Sequence, residues 1–280
     1  MIAEANLNAY MHHWGARTVP FHDGTEPFET PQMDEIRELL DQTAALRSVM
    51  LLSGPNGTGK SLAVARWLKD LPRKAYAPLV ITQATLSASA ILATLVGKLG
   101  REPSMFRSRN LRQIEEAIPM LGQTTPVLVL DEAQNYPPSS LEEIRLLIGL
   151  NLAPSPIFAL IMIGDNYLLD TLRLQSRRPL YSRIAIAYHM QPLDPPQAAA
   201  FLSHQLEQAG IVRDAFDEHA LDMIVAAADG IPRSLNLIAR AAWINAAKSK
   251  QSVIGVDHVQ HALKTIPIAQ DKITTTSHRT

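Results

Sequence analysis

The chain has 280 residues, no cysteine and a net charge of −1, with 46% hydrophobic and 19% charged residues. Such a chain buries a full core in one large or two small globular domains; it is neither disordered nor membranous in composition, and it has no disulfide or thiol chemistry. Met1–Asn6 offers no basic or apolar leader, and no apolar run nears the ~20 residues that span a bilayer, so the expectation is a cytoplasmic protein without a membrane segment.

Charge is unevenly spread. Residues 23–41 carry Asp23, Glu26, Glu29, Asp34, Glu35, Glu38 and Asp41 against Arg37 alone. Two later stretches are basic: Arg101, Arg107, Arg109 and Arg112, and then Arg173, Arg177, Arg178 and Arg183. Local basic patches of this kind suit polyanions even on a neutral protein.

Residues 2–13 read as a short helix, followed by an irregular lead-in through Pro20, Gly24 and Pro27. His12, His13 and His22 lie here, but histidines without acidic or cysteine partners are ordinarily solvent-facing rather than metal ligands. Thr30-Pro31 predicts an N-cap with proline at the first helical position, and Met33, Ile36, Leu39, Leu40 and Leu46 keep helical spacing to about Arg47. Val49–Leu52 is then a strand. It runs into Gly54-Pro55-Asn56-Gly57-Thr58-Gly59-Lys60-Ser61, and Leu62 onward has helical spacing again. A strand, a glycine-rich turn and a helix start form the context required by the phosphate loop G-x-x-x-x-G-K-[ST]. The glycines let backbone N–H groups converge on one spot, Lys60 reaches the β- and γ-phosphates, and Ser61 offers its hydroxyl to Mg²⁺.

The alternation continues with a strand at Leu79–Thr82, a helix over Ser87–Leu99, a helix over Leu111–Leu121 and a strand at Val127–Leu130. Ser139 or Ser140 is expected to cap a helix through Leu150; Ile157–Ile163 is a buried strand, Asn166–Leu174 a helix and Ile184–His189 a last strand. Beyond Pro192 the pattern is helical only: Pro195–Ala209, Asp217–Ala228, Pro232–Ala247 and Val256–Lys264. The expected architecture is therefore α/β, a parallel sheet flanked by helices, followed by a small all-α lid domain. The domains are 1–29 as a lead-in, 30–192 for nucleotide, 193–266 for the lid and 267–280 as a flexible tail.

Several residues carry chemistry. Asp131 and Glu132 end the third strand, where a phosphate-loop enzyme needs a carboxylate at the carboxyl edge of a neighbouring strand to hold Mg²⁺ and a base to polarise the attacking water. Gly164-Asp165-Asn166 ends the next strand; either Asp165 or Asn166 can orient the water or γ-phosphate, with the neutral amide avoiding repulsion. Arg177, Arg178 and Arg183 precede the last strand, where a guanidinium can stabilise charge built up on a triphosphate, in many such proteins from a neighbouring subunit. Arg233 follows Pro232 at the first turn of a later helix and can close on nucleotide.

Together, Gly54–Ser61, Leu128–Ala133, Ile163–Asn166, Arg183 and Gly230-Ile231-Pro232-Arg233 resemble the AAA+ ATPases, as Walker A, Walker B, sensor 1, arginine finger and sensor 2 in order. The lead-in Tyr10 with Pro20-Phe21, the segment Phe28–Met33, the Asp131-Glu132-Ala133-Gln134 box and the segment Gly230–Asn236 look like the ExeA/GspA branch, which is similar to the TnsC, MuB and TniB types of DNA transposition regulator. ExeA-type secretion ATPases continue into a membrane anchor and a peptidoglycan-binding region, neither of which is seen here, so the transposition branch is expected. That resemblance implies ATP with Mg²⁺ and a homo-oligomeric ring or helical filament on double-stranded DNA. It further implies recruitment of a DDE-type transposase, no membrane, and hydrolysis as a disassembly switch. It puts DNA contacts on Ser87, Ser89, Arg107, Arg109 and Arg112, residue types that touch phosphates without reading bases. A small-molecule kinase would use the same loop but would carry an acceptor-binding lid in place of the Gly-Ile-Pro-Arg domain.

Overall fold

The structure, a computed structural model, describes residues 2–22, 28–149, 156–174, 178–212 and 214–267. Asp23, Gly24, Glu26, Pro27, Leu150, Arg177 and the tail from 268 onward lie outside the described residues. The chain divides into two compact units, Thr30–Met190 and a second made of 1–29 with 191–280.

After α1 (Ile2–Trp14), which belongs to the second unit, the first unit alternates helices and strands. These are α2 (Pro31–Leu46), β1 (Val49–Ser53), α3 (Lys60–Asp70), β2 (Tyr76–Ile81), α4 (Ala88–Lys98), α5 (Arg107–Met120) and β3 (Thr125–Leu130). They continue as a 3₁₀ turn (Ala133–Asn135), α6 (Pro138–Ile148), β4 (Ala159–Ile163), α7 (Asn166–Arg173), α8 (Arg178–Tyr181) and β5 (Ile184–His189). The five strands form one parallel sheet in the order β2-β3-β4-β1-β5. Side chains of successive strand residues point to opposite faces, so each apolar run builds two cores at once. Val49, Leu51, Leu128, Leu130, Leu160 and Met162 pack on one face against Ile91, Ile114, Ile144 and Leu168. Met50, Leu52, Val127, Val129, Ile161 and Ile163 pack on the other against Ile36, Leu40, Val64 and Trp67.

Local chemistry sets the element ends. Thr30 Oγ1 accepts from the Met33 N–H at 3.4 Å and Pro31 opens α2, as its sequence predicts. Several boundaries differ from expectation: β4 starts at Ala159 rather than Ile157, and β3 at Thr125 rather than Val127. β2 starts earlier, at Tyr76, because as a sheet-edge strand it tolerates Pro78. α5 starts at Arg107 rather than Leu111, since Asn110 ties the preceding loop by accepting from the Ser104 N–H at 2.7 Å and donating to the Ser104 carbonyl at 2.9 Å. Neither Ser139 nor Ser140 caps α6. Pro137 and Pro138 open it, and Ser140, fully buried, donates instead to the Leu86 carbonyl at 2.7 Å.

The second unit is helical: α1, α9 (Pro195–Gln208), α10 (Glu218–Ala228), α11 (Pro232–Lys248) and α12 (Val256–Thr265). Asp194 and Gln197 form a capping box at α9, and Asp217 caps α10. α11 supplies the centre of the core through Leu235, Ala239, Ala242 and Trp243. The N-terminal segment packs into this core: Trp14 stacks on Trp243 with ring centroids 6.4 Å apart, and Phe28 meets Phe201 edge-on at 5.7 Å.

Candidate active site

In a parallel sheet every strand delivers its carboxyl end to the same edge, and ligands bind in the crevice outside that edge. The edge here carries Gly54 after β1, Asp131 after β3 and Gly164-Asp165 after β4. β4 lies between β1 and β3, so Asp131 does not stand on the strand next to the phosphate loop, the place its sequence suggests, but one strand beyond.

The loop turns tightly because glycine occupies its first position. Gly54 has φ +148°, and a Cβ there would lie 2.4 Å from the Met190 carbonyl oxygen. Thr58 Oγ1 donates to the Pro55 carbonyl at 3.0 Å, folding the loop on itself. Lys60 is buried, 7% exposed, and its Nζ donates to the Gly54 and Pro55 carbonyls at 2.8 and 2.9 Å. A cation is thus held at the mouth of the loop. α3 starts at Lys60 with Gly59 as its N-cap, so the N–H groups of its first turn have no intrahelical acceptor. Ser61 Oγ donates to Asp131 Oδ1 at 3.0 Å. A hydroxyl beside a carboxylate, with a buried lysine and helix-start amides nearby, is a donor set that suits a hard cation together with polyphosphate. Asn56 lies exposed on the loop, and Leu62 is half exposed at the start of α3.

Asp131 Oδ1 also accepts from the Glu132 N–H at 2.9 Å. Glu132 is exposed and has left-handed backbone, φ 51° and ψ 41°, a conformation that costs a non-glycine residue energy and concentrates at functional sites. Its Oε2 accepts from Gln134 Nε2 at 2.7 Å, and Gln134 Oε1 accepts from the Asp165 N–H at 3.3 Å. Tyr136, buried below this turn with its hydroxyl 3.4 Å from the Ile81 carbonyl, has its pKa pushed up to about 12, first by burial and then by the negative charge of Asp131.

After β4, Asp165 and Asn166 differ in what their side chains do. Asp165 Oδ1 caps α7, accepting from the Tyr167 and Leu168 N–H groups at 2.9 and 3.2 Å. Asn166 is exposed at the first position of α7, and its amide has no hydrogen-bond partner among the described residues. Arg178 and Arg183 are both exposed, with no side-chain hydrogen bond or ion pair among the described residues. The Arg183 guanidinium lies against the last turn of α6, where a Cβ on Gly149 would be 3.3 Å from Nη2. Arg233 is exposed on the first turn of α11 in the helical unit.

The residues expected to touch DNA are differently engaged. Arg107 donates from Nε and Nη2 to Glu143 at 3.0 and 2.8 Å, a forked pair to a buried carboxylate that raises the Arg107 pKa. Arg112 pairs with Glu116 at 2.9 Å, and Arg101 approaches the same carboxylate at 3.5 Å. Ser87 caps α4, accepting from the Ala90 N–H at 3.3 Å, and its hydroxyl shares a 3.2 Å bond with Ser89. Arg109 is exposed and has no side-chain partner among the described residues. Sequence reasoning misses Glu143, Tyr136 and the bridging role of Gln134. For Gln134 the sequence does hold a signal: an amide two residues after a proposed base, close enough to fold back on it.

Residues 43–172 match the family described as AAA domain. General secretion pathway protein A of Aeromonas hydrophila is 28% identical over 213 residues, 74% of this chain and 39% of that protein, so the chain spans well under half of that relative. Among solved structures, Cdc6p from Pyrobaculum aerophilum superposes with a TM-score of 0.69 at 20% identity, covering 87% of this chain and 69% of that one. Drosophila ORC bound to DNA superposes with a TM-score of 0.59 at 20% identity, covering 92% of this chain and 65% of that one. At such identities the likeness is one of fold: a five-stranded P-loop AAA+ α/β unit with a C-terminal helical region.

Proposed function

We propose that this chain, with its AAA+ fold, binds ATP with Mg²⁺ and uses its hydrolysis as a switch. With ATP it assembles as a ring or helical filament on double-stranded DNA and recruits or regulates a DDE-type transposase; hydrolysis dismantles the assembly. It works in the cytoplasm. The observation that carries the nucleotide half is the 3.0 Å hydrogen bond between Ser61 and Asp131, which pairs a phosphate loop with a carboxylate from a different strand. When bound, Mg²⁺ supplies Lewis-acid polarisation of the terminal phosphate. Lys60 neutralises phosphate charge, and Ser61 with Asp131 holds the metal. Glu132 takes the proton of the attacking water. The open amide of Asn166 supports its choice over Asp165 as the group that orients water or γ-phosphate, because the Asp165 carboxylate is engaged at α7. Arg183, exposed and unpaired among the described residues, acts on the nucleotide of a neighbouring subunit, and Arg233 closes on nucleotide from the helical unit.

The DNA half is supported by a shared fold with ORC, solved bound to DNA, and by exposed Arg109. Arg109, Arg112, Ser87 and Ser89 contact phosphates; Arg107 does so only by giving up Glu143. A second reading, a secretion-associated ATPase, is favoured by the 28% identity to general secretion pathway protein A. The deciding experiment is negative-stain microscopy of the protein with a non-hydrolysable ATP analogue and plain duplex DNA. Rings or filaments on DNA are expected; oligomers indifferent to DNA favour the second reading.

A further inference from the structure

We infer that Gln134 is a positioning residue for hydrolysis, a strut that fixes the Glu132 carboxylate and ties it to the end of β4; this rests on the reading of Glu132 as the base. Glu132 is solvent-exposed, and a free glutamate there would spread over many rotamers, each of them wrong for proton transfer except a few. Gln134 removes that freedom. Its Nε2 donates to Glu132 Oε2 at 2.7 Å, which sets the plane of the carboxylate and leaves Oε1 to accept a proton from water. Its Oε1 accepts from the Asp165 N–H at 3.3 Å, so the amide is held at both ends.

Two neighbouring features fit this strut. Asp165 Oδ1 caps α7, which anchors the residue whose backbone N–H meets Gln134. Gly164 keeps the strand end open: a Cβ there would lie 2.8 Å from Gln134 Oε1 and 2.5 Å from Leu168 Cδ2. The 3₁₀ turn holds the geometry from below, with Ala133 fully buried and the Asn135 N–H donating to the Glu132 carbonyl at 2.9 Å. Among amide and carboxylate side chains, glutamine alone combines this reach with a donor and an acceptor. Asparagine is a methylene short, and glutamate replaces the donor with a charge that repels Glu132. The strut makes the base and the residue that orients water or γ-phosphate at the end of β4 move as one piece.

The test uses Gln134→Met, which keeps length and bulk but cannot make either hydrogen bond, beside Gln134→Ala and Glu132→Gln, all assayed with ATP, Mg²⁺ and duplex DNA. Gln134→Met and Gln134→Ala are expected to lower kcat about tenfold to a hundredfold, the range for one hydrogen bond to a charged group, with nucleotide affinity within about twofold of the parent. In single-turnover assays, Gln134→Met added to Glu132→Gln is expected to cause no further loss. Parental or faster hydrolysis by Gln134→Met, or a loss that persists in the Glu132→Gln background, overturns the strut while leaving the base assignment standing. Unchanged hydrolysis by Glu132→Gln removes the base assignment itself, and the strut with it. Thermal melting of Gln134→Met separates a folding defect from a catalytic one.

Discussion

Ser61 and Asp131, 70 residues apart in sequence, meet through a 3.0 Å hydrogen bond from hydroxyl to carboxylate. On the proposed reading, this pair would hold the metal. Asp131→Asn keeps the shape and a hydrogen-bond acceptor but removes the charge that draws in a divalent cation. Hydrolysis is expected to fall by about 10²-fold or more, because metal polarisation is worth several kcal/mol in the transition state. Nucleotide binding measured in EDTA is expected to stay unchanged. A loss of metal-free binding would show that Asp131 supports the loop rather than the cation.

Lys60 and Glu132 should separate binding from chemistry. Lys60→Ala removes the buried ammonium that now donates to the Gly54 and Pro55 carbonyls. Fluorescent-nucleotide titration should show affinity falling by about 10²-fold, the scale of a charge-assisted hydrogen bond to phosphate in a desolvated site. Glu132→Gln should bind ATP as the parent does and hold whatever assembly ATP induces. Sedimentation after ATP is consumed in the parent checks this, since only the variant should remain large.

Arg107 and Arg109 are two residues apart and should behave in opposite ways. Arg107→Ala strips the buried Glu143 of both hydrogen bonds, and denaturant unfolding should show a loss of about 1–3 kcal/mol. Arg109→Ala should leave stability within about 0.5 kcal/mol. If Arg109 touches a phosphate, its removal should lower the slope of log affinity against log salt by about 1. A large salt effect from Arg107→Ala with intact stability would put the DNA contact on the wrong arginine.

The difference between these arginines marks where the sequence stops being informative. The phosphate loop, the order of strands along the chain and the carboxylates after β3 are legible, because glycine spacing and buried apolar runs of four to seven residues are local signals. The sheet order is not local: nothing in Val127–Leu130 says that β4 separates it from β1. Likewise Arg107 reads as part of a basic run until α6 brings Glu143 beneath it. Ser140 looks like a cap until Leu86 offers a carbonyl from another element. Gln134 is visible as a residue, but its role depends on β4 ending 3.3 Å away.

Tyr136 gives a pH dependence. Its pKa stands near 12 in the fold against about 10 in an unfolded chain, because burial and Asp131 both disfavour the phenolate. A raised folded pKa contributes stability that is fully present below pH 10 and is lost as pH rises towards 12, since only the unfolded chain gains the ionised form in that window. Tyr188, donating to Glu35 at 2.9 Å and also pushed up to about 12, acts in the same direction. Alkaline unfolding followed by circular dichroism should begin above pH 10 and shift upward in Tyr136→Phe. No shift would mean that the Tyr136 phenol ionises as freely in the fold as outside it.

Arg183 tests whether the site is completed by a second copy. Its guanidinium lies against Gly149, without a hydrogen-bond or ion-pair partner among the described residues, so Arg183→Ala should leave stability within about 0.5 kcal/mol. Nucleotide affinity of the monomer should also be unchanged, because a residue acting on the next subunit's phosphates does not touch its own. Hydrolysis in the assembled state should fall about 10³-fold, the lower end of what a trans guanidinium supplies to phosphoryl transfer. Mixing is decisive. Arg183→Ala supplies an intact loop, and Lys60→Ala supplies an intact arginine, so together they should recover part of the activity that each lacks alone. If the mixture stays dead while either variant still co-assembles with the parent, Arg183 does not act across a subunit boundary, and Arg178 becomes the residue to change next.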